Sequence, residues 1–172
     1  SGVVIAAVAN ALTLTSNKFL DDGDVTKDEI AIDNNDASNT VSAANNWFDN
    51  ATGPIHDDDA ATGDNVKVNG LVQYSPFYTN VDLGAGNKDY RIKATDSAGT
   101  PNITYHTYLS TALNVSNLAS IELKRNISNT NDQEDIDVAA TVACDSTARE
   151  ISVDFTLSAA ATLSGCTLKA TT

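Results

Sequence analysis

The feature that most constrains this chain is a period-two alternation of apolar and polar residues, clearest in its last third. Ile136, Val138, Ala140, Val142 and Cys144 fall on one side of IDVAATVAC, and Ile151, Val153, Phe155 and Leu157 do the same through ISVDFTL. Successive side chains of a strand point to opposite faces, so this repeat marks strands with one buried face. The same pattern runs through Tyr90, Ile92 and Ala94, through Ile103, Tyr105, Thr107 and Leu109, and through Ala119, Ile121 and Leu123. The segment VKVNGLVQY reads as a strand interrupted at Asn69-Gly70 by a tight hairpin or a bulge. A final strand is expected near Thr162 to Leu168. Gly, Asn, Asp and Pro separate these runs, with no strand–helix alternation and no internal sequence repeat.

The expected fold is therefore all-β: a single antiparallel β-sandwich or jelly-roll-like domain over residues 16–172, preceded by an extended N-terminal strand over 1–15. A length of 172 residues suits one domain with a real core. Residues 21–62 read as long loops, with a short helix expected around Val41 to Phe48.

Charge narrows the partners. With 23 Asp and Glu against 10 Lys and Arg, the net charge is −13, which disfavours nucleic acid and anionic membrane surfaces. No apolar run is long enough for a transmembrane helix, so no membrane insertion is expected. Of the acidic residues, 19 are Asp and 4 are Glu. Asp favours turns and cation-binding loops over helices. Asp21, Asp22, Asp24 and Asp28, with Glu29, form one acidic cluster, and Asp57, Asp58, Asp59 and Asp64 form another. These two are the candidate calcium ligands, because calcium takes several hard oxygens from carboxylates and loop carbonyls. A third cluster, Asp132, Glu134, Asp135 and Asp137, lies nearer a strand, and none matches an EF-hand loop.

Cys144 and Cys166 are the only cysteines, and a disulfide between them is expected in an oxidising, extracellular compartment. Such a bridge would stabilise the fold by roughly 3 kcal/mol on loop-closure grounds. An opening at Ser1 is what a processed, exported chain would show. Asn50, Asn102, Asn114 and Asn126 each begin an N-glycosylation sequon. The two histidines, His56 and His106, belong to no recognisable catalytic motif, and no enzymatic activity is expected.

The N-terminal segment SGVVIAAVANALTLT places Val4, Ala6, Val8, Leu12 and Leu14 on one side of an extended strand. Val3 to Leu14 would span roughly 40 Å, longer than most domain strands. It reads either as the first strand of the domain or as a donor strand that completes the sheet of a neighbour, with those five residues as the subunit interface. This opening, the β pattern after it and the Asp-rich loops together resemble secreted prokaryotic filament subunits, namely the camelysin/TasA-like biofilm fibre proteins and the calcium-dependent archaeal cannula subunits. Type IV pilins differ, since they begin with a longer apolar helix. The resemblance implies a structural subunit of an extracellular filament, pilus or tube whose partners are identical subunits, with calcium as an assisting ion. A second reading is a monomeric cell-surface carbohydrate-binding or adhesion module that uses Trp47, Tyr74, Phe77 and Tyr78.

Overall fold

The computed structural model describes residues 2–5, 12–21, 29–56, 66–84, 86–98, 102–127, 139–152 and 160–169. The chain divides into two compact units, Ser1–Asp89 and Tyr90–Thr172. Both are built from short strands, and helix is confined to five of the described residues. The all-β class expected from the alternation holds.

The first unit contains β1 (Val3–Ile5), β2 (Ile30–Asn34), β3 (Val41–Ser42), β4 (Ile55–His56), β5 (Lys67–Asn69), β6 (Val72–Gln73), β7 (Phe77–Tyr78) and β8 (Lys88–Asp89). Four of them form a sheet in the order β1-β2-β5-β4, and every pairing in it is parallel. The chain here makes three passes laid side by side. Val3 pairs with Ile32, Thr13 with Ser42 and Lys18 with Trp47, a constant step of 29 residues (32 − 3, 42 − 13, 47 − 18). The third pass then lies on the second, with Val68 beside Ile32 and Val72 beside Val41. Apolar residues of all three passes close on one core, in which Ile32, Val41, Phe48, Val68, Val72, Tyr74 and Phe77 are fully buried. Phe48 anchors it, stacking on Phe19 of the first pass at 5.2 Å and meeting Tyr74 of the third edge-on at 6.3 Å. Full burial of a side chain of this size stabilises by roughly 2–3 kcal/mol.

The second unit contains β9 (Ile92–Asp96), β10 (Asn102–His106), α1 (Leu109–Leu113), β11 (Leu118–Leu123), β12 (Thr141–Cys144), β13 (Glu150–Ile151), β14 (Thr162–Ser164) and β15 (Thr167–Leu168). Its main sheet runs β10-β9-β11-β12-β14. Strands β9 to β11 are antiparallel, whereas β12 and β14 add in parallel. Ser120, Thr141 and Thr162 stand in one row at a step of 21 residues (141 − 120, 162 − 141). A second column follows the same order, with Ile127 beside Ile151 and Ile151 beside Leu168. The core of this unit takes Ile92, Ala94, Ile121, Leu123, Val142 and Ile151 from the strands and Ile127 from the bridge beyond β11. The helix adds Leu109, Ala112 and Leu113, whose spacing puts them on one face.

Several expectations change. The pairing is not antiparallel throughout: of ten strand pairings among the described residues, seven are parallel and three antiparallel. The sheets are small and mixed, and their pairings define no two-sheet sandwich. Alternation reports which face a residue occupies but not the direction of the neighbouring strand, and parallel neighbours need a long return between them. Residues 21–62, expected to be long loops, hold β2, β3 and β4 and bring Ile32, Val41 and Phe48 into the core. The short helix lies at Leu109–Leu113, not at Val41 to Phe48, where Val41 and Ser42 pair with the third pass. The expected face of Ile103, Tyr105, Thr107 and Leu109 is also split. Thr107 and Leu109 are buried, while Ile103 and Tyr105 are exposed on the edge strand β10.

Candidate assembly surface

The N-terminal segment is folded onto its own chain. β1 is the outermost strand of its sheet, and Ile5 accepts a hydrogen bond from Asn35 of the second pass. Further along, the Leu14 amide donates to Ser42, the Ser42 amide to Leu12, and the Phe19 amide to Trp47. Leu12 and Leu14 are half-buried against the first unit's core, while Val4 is 69% exposed. Ala6 and Val8 lie outside the described residues. Gly2 directly precedes the strand, and a methyl group there would overlap the carbonyl oxygens of Ile30 and Ala31.

Two buried asparagines bind the passes together. Asn46 donates through Nδ2 to the Leu14 carbonyl at 2.9 Å and to the Ala43 carbonyl, and its Oδ1 accepts from the Asn17 amide at 2.8 Å. It thereby satisfies main-chain groups of the first and second passes at once. Asn34 does the same between the second and third, donating to Asn39 at 2.9 Å and Leu71 at 2.8 Å. Beside it Gly70 sits at φ 73°, and a side chain there would strike the Asn34 carbonyl. The Asn69-Gly70 break is therefore a corner between β5 and β6, which pair with the second pass and not with each other.

Cys144 and Cys166 form the expected disulfide, with Cα atoms 5.2 Å apart. It joins the second pass of the second unit to the third. Of the acidic candidates Asp21 and Glu29 are described: the Asp21 amide donates to the Asp49 carboxylate at 3.0 Å, and the Glu29 carbonyl accepts from the Lys67 amide at 2.7 Å. Asp22, Asp24, Asp28, Asp57, Asp58, Asp59 and Asp64 lie outside the described residues, as does the third cluster. Among the described residues no three His, Cys, Asp or Glu side chains converge as a metal site would require.

The sequon asparagines are separated. Asn50 Oδ1 accepts from the amide and hydroxyl of Thr52, which closes a local turn. Asn114 caps α1, donating to the Ser110 carbonyl, Asn126 accepts from the Glu150 amide, and Asn102 begins β10. The aromatic platform considered for carbohydrate does not form. Trp47, Tyr74 and Phe77 are buried, and the Trp47 indole N–H has no acceptor among the described residues.

A different aromatic cluster, unmarked in the sequence reading, stands on the second unit. Tyr90 stacks on Tyr105 at 4.9 Å, with Lys124 4.4 Å and Lys93 5.5 Å from the Tyr90 ring. Tyr90 donates to Glu122 at 2.8 Å, and Lys93 makes an ion pair with the same carboxylate. Hydrogen bonding from Lys93 holds the Glu122 carboxyl below its ordinary range, and the same bond pushes Lys93 up. Burial, then the bond to Glu122, raises the Tyr90 phenol. Register explains the grouping: Tyr105, Lys93 and Glu122 stand in one row across β10, β9 and β11. Pairing register was the missing information, since these residues are scattered in the sequence.

Comparison with protein-family models, with curated proteins and with solved structures finds no match to this chain. No helix among the described residues is long and apolar enough to cross a membrane.

Proposed function

We propose that this protein is a structural subunit of an extracellular filament, pilus or tube, joined to identical subunits through its N-terminal strand. The observation that carries this reading is the position of β1. It is an uncharged strand on the outside of a parallel sheet, with Val4 exposed and its outer flank bordered by no other strand among the described residues. Unprotected edges of this kind recruit a further strand, and a head-to-tail contact between copies does not close and so extends indefinitely. The disulfide supports an oxidising compartment. Calcium enters as an assisting ion at the acidic segments, where it would neutralise part of a net charge of −13. No catalytic role is proposed.

The test is negative-stain electron microscopy of the intact protein with calcium and with chelator, beside a chain lacking residues 1–14 and a Val4→Lys variant. The deletion removes Leu12 and Leu14 from the core, so Val4→Lys, at an exposed side chain, is the cleaner arm. Filaments from the intact chain and their loss in Val4→Lys are expected, and monodisperse particles in every condition would overturn the proposal.

A second reading, a carbohydrate-binding surface, is favoured by the half-exposed Tyr90–Tyr105 stack with its flanking lysines. A glycan array on the monomeric protein, with Tyr105→Ala as the control, tests it.

A further inference from the structure

If the N-terminal edge joins a neighbour, some surface of that neighbour must receive it. We infer that the receiving surface is the last described pass of the second unit, residues 162–168, of a second copy of this chain. This inference rests on the filament reading and names its acceptor.

The geometry of the pass is defined by its hydrogen bonds. Among the described residues β14 pairs only with β12 and β15 only with β13, so the pass is the outer edge of the two strand columns that these residues form. The Thr162 amide donates inward to Ala140, the Thr167 amide to Arg149 and the Lys169 amide to Ile151. In a parallel ladder alternate residues bond to opposite neighbours. The N–H and C=O of Leu163 and of Leu168 therefore point away from the sheet. By the same alternation Ile5 bonds inward to Asn35, and the N–H and C=O of Val4 point outward from β1. Each edge thus holds out main-chain donors and acceptors of the kind the other requires.

Charge and rigidity favour this match. Copies of a chain with net charge −13 repel, and contact is least costly where no charge is brought together. Neither Val3–Ile5 nor 162–168 (TLSGCTL) carries a charged residue or a proline, the usual guards of a natural edge. Leu168 is 62% exposed, matching the exposed Val4. The disulfide at Cys166 fixes the pass to its neighbour, so less conformational freedom is lost when a strand adds to it. β10 is a second edge of the same sheet, with Ile103 half-exposed, but no covalent tie holds it and it offers one column where the last pass offers two.

The test uses three variants of the full chain: Leu168→Lys, which places a charge at an exposed position of the edge; Leu163→Pro, which removes one outward amide while the inward bonds of its neighbours remain; and Ile103→Lys on β10. Circular dichroism and thermal unfolding establish that each folds, and Leu168→Lys decides the matter if Leu163→Pro does not. Sedimentation and electron microscopy then give the critical concentration for polymerisation. The expected result is a rise of roughly tenfold for both, from loss of one edge hydrogen bond per contact in Leu163→Pro and from a charge brought into an uncharged contact in Leu168→Lys, with Ile103→Lys unchanged. Wild-type polymerisation by both edge variants, or a defect confined to Ile103→Lys, would overturn the inference and leave the filament reading standing. An intact chain that never polymerises would remove both.

Discussion

Asn46 shows how much one side chain carries in this fold. It is fully buried and bonded to main-chain groups on two passes. Asn46→Ala would leave those groups unsatisfied and is expected to lower stability by about 3 kcal/mol in chemical denaturation. Asn46→Asp is nearly isosteric, yet an ionised carboxylate donates no hydrogen bond, so it should be at least as damaging. An aspartate variant as stable as the parent would show that the donor bonds to Leu14 and Ala43 contribute little. Nothing in the sequence separates Asn46 from the other asparagines, because its role comes from the register between passes. Gly70 was more legible, since Asn-Gly marks a turn from either direction.

The Glu122–Lys93 pair makes a pH prediction at the same scale. Glu122 is lowered from an ordinary value of 4.5, so its stabilising contribution is complete above that pH and fades as pH falls through the lowered value. Lys93 is raised from 10.5, so its contribution is complete below that pH and lost as pH rises through the raised value. Glu122→Gln should flatten the acid limb of the stability profile and cost no more than about 1 kcal/mol at neutral pH, because the pair is partly solvated.

At the level of elements, alternation located most of the buried faces. Ile92, Ala94, Ile121, Leu123, Ala140 and Val142 are buried as the pattern required. Ala119 departs from it because a register shift between Leu118 and Ser120 turns it out to solvent. The helix at Leu109–Leu113 was hidden because LSTAL is too short to show a helical period. Strand direction was not legible, and the first-unit passes are separated by returns of unequal length, which disguises their parallel order. The disulfide was legible from two cysteines alone, and it acts on one element. Replacing Cys144 and Cys166 by Ser should lower stability by roughly 3 kcal/mol, measured by thermal unfolding. Hydrogen exchange should locate the loosening at β14 and β15, and protection there equal to the parent's would show that hydrogen bonding alone holds the pass.

For the whole molecule, net charge sets the conditions under which copies can meet. The sequence pI is about 4.2, so the chain is strongly anionic at neutral pH and near neutral in mild acid. If subunits join through uncharged edges, screening should help: raising ionic strength from about 0.01 M to about 0.1 M contracts the Debye length from roughly 30 to 10 Å and should lower the critical concentration. Light scattering at both ionic strengths checks this, and assembly weakened by salt would point to a contact made by ion pairs. The acidic excess was read correctly from composition alone. Composition does not say which carboxylates come together, and among the described residues no three converge.

The step of 21 residues along the row of Ser120, Thr141 and Thr162 also bears on how such a chain can change length. Each pass there rests on the one before it and presents the same edge to the one after. An insertion of one complete pass between Ile127 and Thr141 would find a ready-made seat and leave the Cys144–Cys166 bridge between the later passes intact. An insertion of a single residue inside β12 would turn every later side chain of that strand over. Chains of this design should therefore vary in length by whole modules, with size polymorphism confined to that interval and to the returns.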